Sequence, residues 1–282
     1  MAIFYNQATL SYNGNTTNSN ITTGELLEVL SASKTAVVDE YINGREVTYV
    51  INIVNSGNSA ISGVTVTDNL GAYIFGTGTR VPLTYSEGSV RYFADGVLQP
   101  APTVTTGAPL TFSGITVPAN GIGTLVYSAV PKSFASPAVG GTITNTAVIT
   151  GGGNSVTVTE DITAAQGPQL SINKSVSPAV VTDNDRLTYT FVIQNTGNTA
   201  ITTADNAFIT DTFDPVLSDL TVTFNGAVWT EGINYTYDET TVLFTSLEEQ
   251  ITVPAASYSQ DPVTGGWVID PGVSTLVISG IV

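Results

Sequence analysis

The chain has 282 residues, 42% of them hydrophobic and only 11% charged, and it contains neither cysteine nor histidine. Disulfides, thiolate or imidazole metal sites, cysteine nucleophiles and the usual general base are excluded together. Seven Lys and Arg stand against 23 Asp and Glu, a net charge of −16, so too few bases are present to neutralise the phosphates of a nucleic acid.

The opening residues, Met1-Ala2-Ile3-Phe4-Tyr5-Asn6-Gln7, lack the basic and long apolar regions of a secretion signal, and no window approaches membrane-spanning length. The expectation is a protein made and assembled inside a cell. Phe4 to Leu10 reads as a strand, and an Asn13-Gly14-Asn15 turn follows it. Beyond it, Thr, Val, Ile, Ser and Asn dominate in short period-two segments broken by Asn-Gly, Asp-Gly, Gly-Gly and Pro signals. Val47 to Val54 and Arg186 to Ile193 are clear strands, each followed by an Asn-x-Gly-Asn turn. The predicted class is all-β, two tandem immunoglobulin-like Greek-key sandwiches.

The chain is internally duplicated. Lys34 to Ile61 superimposes on Lys174 to Ile201 at a constant offset of 140, with Tyr49, Asn55, Gly57, Asn58, Ala60 and Ile61 recurring as Tyr189, Asn195, Gly197, Asn198, Ala200 and Ile201. Val66-Thr67-Asp68 then matches Ile209-Thr210-Asp211, and Thr124-Leu125-Val126 matches Thr275-Leu276-Val277. The expected segments are a donor hairpin at 1–25, a first repeat at 26–165 and a second at 166–282. The short link Ala164-Ala165-Gln166-Gly167-Pro168 suggests a semi-rigid rod.

After Val130 the first repeat continues into Thr142 to Ile149, a Gly-Gly-Gly-Asn turn and a returning strand, whereas Val282 aligns near Pro131. The second repeat therefore lacks that hairpin. A counterpart appears at the other end, where Phe4-Tyr5-Asn6-Gln7-Ala8-Thr9-Leu10 resembles Ile143-Thr144-Asn145-Thr146-Ala147-Val148-Ile149. Asn6 precedes Lys34 by 28 residues and Asn145 precedes Lys174 by 29. Phe4, Asn6, Ala8 and Leu10 are the expected donor strand for the incomplete repeat of another copy, which gives head-to-tail homopolymerisation.

Three polar residues fall where alternation predicts apolar ones. Lys34, Asp68 and Asn145 share faces with apolar neighbours in the first repeat, and Lys174 and Asp211 do so in the second, where Asn6 of an incoming chain would be the third member. Burial favours a neutral lysine amine and a protonated Asp, the first a nucleophile and the second able to polarise an Asn carbonyl. Two states remain open: Lys-Asn isopeptide bonds formed with loss of ammonia, or buried ion pairs with an Asn hydrogen bond. Only three lysines exist, and two hold this equivalent position.

Through Val64-Thr65-Val66-Thr67-Asp68, Asn55-Ser56-Gly57-Asn58 and Thr144-Asn145-Thr146-Ala147 the chain resembles the bacterial surface repeat called domain of unknown function 11. The resemblance implies a sandwich fold, cell-surface or extracellular placement and tandem arrays; related Gram-positive adhesin domains carry Lys-Asp-Asn isopeptide triads. More narrowly, the layout resembles the major subunits of clostridial spore appendages, which implies release of the fibre when the mother cell lyses.

The expected function is thus a fibre subunit and not an enzyme, autocatalytic cross-linking apart. The alternative is a surface adhesin that holds a glycan on Trp229, Tyr235, Tyr237 and Trp267, although Trp229 and the neighbouring tyrosines more often pack across strands. No cofactor is expected. Asp183-Asn184-Asp185 is the best local calcium candidate, an ordinary turn being the commoner reading.

Overall fold

The computed structural model describes residues 2–26 and 29–282. It is all-β, with antiparallel ladders and one short 3-10 turn at Thr203–Asp205. Two compact units divide it: one comprises the chain up to Lys132 together with Ile143–Ile162, the other Ser133–Thr142 together with Thr163–Val282.

The first unit contains two six-stranded sheets. One runs in the order Val97–Gln99, Arg91–Ala94, Gly121–Pro131, Val47–Asn55, Leu30–Ala36, with Leu83–Tyr85 also paired to Gly121–Pro131. The other runs Thr103–Thr105, Leu110–Val117, Ile61–Asp68, Thr142–Gly151, Asn154–Ala164, Glu40–Tyr41. Strict alternation on Val47–Asn55 sends Val47, Tyr49, Ile51, Ile53 and Asn55 inward, because successive strand side chains point to opposite faces. Those residues meet Val64, Val66, Phe112 and Ile149 of the other sheet in one core, with Phe112 tilted against Tyr127 at 5.1 Å.

The second unit repeats the first sheet in reduced form: Leu170–Ser177, Arg186–Asn195, Gly272–Ile281, Ser218–Phe224, Ala227–Trp229. Facing it is a three-stranded sheet, Thr210–Thr212, Leu243–Ser246, Tyr235–Asp238. Phe213, Leu217, Val222, Phe244, Leu276 and Ile278 form its core.

The Asn-x-Gly-Asn turns do the same work in both units. Asn55 and Asn195 are fully buried. Each accepts the N–H two residues on, from Gly57 or Gly197, and each amide donates across to the segment opposite, to Pro118 O at 2.8 Å or Pro254 O at 3.0 Å. A buried amide saturated in this way avoids the cost of an unmet polar group. At Gly197 a Cβ would lie 2.2 Å from Gly167 O, so no larger residue fits there.

Residues 2–26 form a long hairpin in two ladders, Ala2–Asn6 with Thr22–Leu26 and Thr9–Tyr12 with Asn15–Asn18. Its tip, Asn13-Gly14, has φ of 45° and 79°, the positive pair that two-residue hairpin turns favour. Neither ladder joins a sheet of either unit, and residues 4–23 are exposed throughout.

Candidate assembly and cross-linking sites

Lys34 lies on the edge strand Leu30–Ala36, in register with Ile51. Period two turns its side chain to the same side as Leu30, into the core. There its ammonium donates to Asp68 Oδ2 at 2.6 Å and to the backbone carbonyl of Asn145 at 3.0 Å, and it stands 5.0 Å from the Tyr49 ring. The structure thus brings Lys34, Asp68 and Asn145 together, and the side chains of the first two are wholly enclosed. The hairpin Thr142–Gly151 and Asn154–Ala164 closes the site: Ala147 pairs with Asp68 and Ile149 with Val66. Burial pushes the Lys34 ammonium toward the neutral amine, and the Asp68 charge opposes that shift.

Sequence reasoning missed Tyr127. Its hydroxyl donates to Asp68 Oδ2 at 2.5 Å and accepts from Asn145 Nδ2 at 3.3 Å. Asp68 Oδ1 takes the Leu70 N–H. No hydrogen bond joins Asp68 to the Asn145 side chain, whose Oδ1 is without a partner among the described residues. The Tyr49 hydroxyl lies beside the Asn145 amide without a well-formed hydrogen bond. Tyr127 could have been suspected from the alternation of Leu125, Tyr127 and Ala129, which aims it inward opposite Tyr49.

Burial raises the tyrosines here: Tyr41 to about 12, and Tyr49 and Tyr127 further. A phenol that stays neutral in the folded state stabilises it below the unfolded pKa of 10.0, and that contribution is lost as pH climbs through the folded value. Lys34, lowered from 10.5, acts in the opposite sense, as one group against these three and Tyr92, which burial also raises. The first unit is therefore expected to lose stability between pH 10 and 12. Denaturant melts at pH 8 and pH 11 check this, and equal midpoints would contradict it.

The second unit holds the same pair in a different setting. Lys174, in register with Phe191, ion-pairs with Asp211 and sits 4.2 Å from the Tyr189 ring. Its side chain, however, is 38% exposed, against 0% for Lys34. The contrast extends along the strand: Leu30 is 5% exposed and its counterpart Leu170 is 48%. Ile172, Val176 and Phe208 are exposed as well. The cause is topological. Thr210–Thr212 pairs with Leu243–Thr245 on one side, and among the described residues no strand pairs with its other edge.

Asn6 is exposed on the N-terminal hairpin, its carbonyl accepting from Thr22 Oγ1, and Phe4, Ala8 and Leu10 share its exposure. No asparagine amide hydrogen-bonds to Lys174 or Asp211 among the described residues. At the calcium candidate, Asp185 accepts both the N–H and the hydroxyl of Thr182, and the Asn184 N–H bonds Val282 O, which is the geometry of a capped turn. No group of three Asp, Glu, His or Cys that could hold a metal occurs among the described residues. Of the proposed glycan-stacking rings, Trp229 and Tyr235 are core residues stacked on Phe224 and Phe244, and Tyr237 packs against the same core. Trp267 is half-buried. Among the described residues no helix is long and apolar enough to cross a membrane.

No family model matches the chain, and no curated protein does. The resemblance to the surface repeat therefore rests on its motifs. Solved structures similar to the chain include a variant of BcpA, the major pilin subunit of Bacillus cereus, at 12% identity and TM-score 0.38, covering 96% of this chain and 73% of that one. The full-length RrgB pilus protein of Streptococcus pneumoniae is similar at 12% and 0.36, covering 89% and 41%. A wild-type structure named BspA_C is similar at 11% and 0.36, covering 89% and 91%. Likeness at that level transfers no function to this chain.

Proposed function

We propose that the chain is the subunit of a self-assembling extracellular fibre, a spore or cell-surface appendage, built head to tail from tandem immunoglobulin-like Greek-key sandwiches. The hairpin carrying Phe4, Asn6, Ala8 and Leu10 enters the open edge of the second unit in a neighbouring copy. Lys174 then bonds to Asn6 with help from Asp211, as Lys34 bonds to Asn145 with help from Asp68 inside the first unit. One observation carries the reading: the same Lys-Asp pair is sealed by a hairpin in the first unit and left open in the second, while a hairpin of matching sequence stands exposed.

An unpaired strand edge beside exposed apolar side chains invites strand addition. Because donor and acceptor are different surfaces, the contact repeats from copy to copy. Two of the candidate glycan-holding rings, Trp229 and Tyr235, stack instead on Phe224 and Phe244 of the core.

The register of insertion is taken from the first unit's pairing of Val148 with Thr67: by the sequence match, Thr9 of one copy would lie opposite Thr210 of the next, both on faces turned from the core. Cross-strand partners bring Cβ atoms to roughly 4.5–5.5 Å, close enough for a disulfide with small adjustment. The native chain has no cysteine, so a chain carrying Thr9→Cys and Thr210→Cys is expected to give a ladder of disulfide-linked multimers under oxidation. Either single variant should stop at dimers. Monomers closed by an internal disulfide, or no disulfide at all, would refute the register and the donor role.

A further inference from the structure

We infer that Tyr127 is a catalytic residue of the first unit's cross-link, the group that hands a proton to the departing ammonia. The inference rests on the reading that Lys34 and Asn145 become covalently joined.

Amide exchange at this site has a proton to move. The Lys34 amine attacks Cγ of Asn145, forming the Nζ–Cγ bond, and the Cγ–Nδ2 bond breaks. Lys34 donates to Asp68 as an ammonium, so it must lose one proton to attack and a second as the new amide forms; the first is delivered to Nδ2, which leaves as ammonia, and the second returns to Asp68; no oxidant or further reactant is involved. In water, solvent would carry that proton. Here the lysine and aspartate side chains are fully enclosed, and Asn145 is buried with them.

A continuous hydrogen-bonded path already joins the two ends. It runs from Lys34 Nζ to Asp68 Oδ2 at 2.6 Å, from Asp68 Oδ2 to the Tyr127 hydroxyl at 2.5 Å, and from that hydroxyl to Asn145 Nδ2 at 3.3 Å. The Tyr127 proton is committed to Asp68, so its oxygen can only accept from the amide, and the atom facing it must be the nitrogen that leaves. Once Asp68 has taken the proton from the lysine, the sense of the path reverses. Asp68 donates to the Tyr127 oxygen, and the phenol turns its own proton onto Nδ2, whose lone pair is freed as the carbon becomes tetrahedral. Tyr127 ends as a neutral phenol, as it began, and Asp68, emptied by the relay, takes the second lysine proton as the new amide forms and gives it up to the departing ammonia.

The second unit supplies a natural contrast. Tyr127 stands directly across from Tyr49, and the residue standing directly across from Tyr189 is Ile278. The phenol is thus present where water is excluded and replaced by a hydrocarbon where Lys174 is open to solvent, which can deliver the proton itself. A tyrosine kept only to fill the core would be equally useful at both positions.

The test is a time course of intact mass on freshly synthesised full-length chain carrying Lys174→Ala, so that only the first unit can react. Loss of one ammonia is expected. Tyr127→Phe in the same background, compared at equal folded fraction, is expected to slow that loss by roughly a hundredfold or more, the scale of general acid-base catalysis. Tyr85→Phe, which removes a different buried hydroxyl, one without a hydrogen-bond partner among the described residues, should leave the rate unchanged. If Tyr127→Phe does not fold, ring-fluorinated tyrosine placed at 127 keeps the shape and hydroxyl while making it more acidic, and the rate should shift several-fold. Equal rates in parent and either Tyr127 variant overturn the role of Tyr127 and leave the cross-link standing. No ammonia loss in the folded parent overturns the cross-link itself and the inference with it.

Discussion

Removing residues 2–20 is expected to abolish filaments while leaving both units folded. Every described side chain from 4 to 20 is exposed, and neither hairpin ladder joins a sheet of either unit. Surface segments that make no such contacts change stability by no more than about 0.5 kcal/mol, so the melting behaviour of the two units should survive the deletion. Assembly should not. Insertion would take Phe4 and Leu10 of the hairpin, with Leu170, Ile172, Val176 and Phe208 of the acceptor, out of water. Complete burial of each such side chain is worth about 1.5–3 kcal/mol, and strand pairing would add hydrogen bonds along the edge of Thr210–Thr212. Losing all of this leaves nothing to hold copies together. Electron microscopy should show filaments from the intact chain and none from the deleted one, which should sediment as a monomer. Filaments that persist would remove the donor role from the hairpin.

The strand pattern and the clustering at Lys34 were legible in the sequence because they depend on period and repetition. Alternation alone turns Lys34, Asp68 and Asn145 inward, and the structure brings all three to one place. The repeated Asn-x-Gly-Asn motif marked the turns, and its buried amides explain why the same residues recur: each must satisfy the same backbone groups of an opposing strand. Tyr127 was not legible as a site residue. In a strand of alternating apolar residues a tyrosine reads as a ring, and what its hydroxyl meets is set by the packing of one sheet on the other, which no spacing within a strand encodes. For Trp229 and the neighbouring tyrosines, packing across strands is the commoner expectation beside a glycan-holding role, and the stacking of Trp229 on Phe224 and of Tyr235 on Phe244 agrees with it. No periodic signal reveals that Ser133–Thr142 belongs with the second unit, where Ser133 O accepts the Trp267 N–H and Pro137 O accepts from Asn198.

Truncating the two equivalent lysines should have very unequal consequences, and the inequality measures how open the second site is. Lys34→Ala strands the Asp68 carboxylate in an enclosed site with Tyr127 and the Leu70 N–H as its remaining donors. Breaking a buried pair from one side costs about 3–5 kcal/mol, and at roughly 2–4 °C per kcal/mol for a unit of this size the first unit should melt on the order of 10 °C lower. Loss of the proposed bond would add to that. Lys174→Ala, made in the chain lacking residues 2–20, removes a pair whose lysine is 38% exposed. Such pairs are worth about 0–1 kcal/mol, and the contact with the Tyr189 ring about 0.5–1 kcal/mol more, so at the same roughly 2–4 °C per kcal/mol the second unit should shift by only a few degrees. Calorimetry on the two variants reads both values. A small shift for Lys34→Ala would mean that Asp68 does not depend on its lysine. A large one for Lys174→Ala would mean that the second site is sealed before any neighbour arrives, and an edge already sealed has no place for a donor strand.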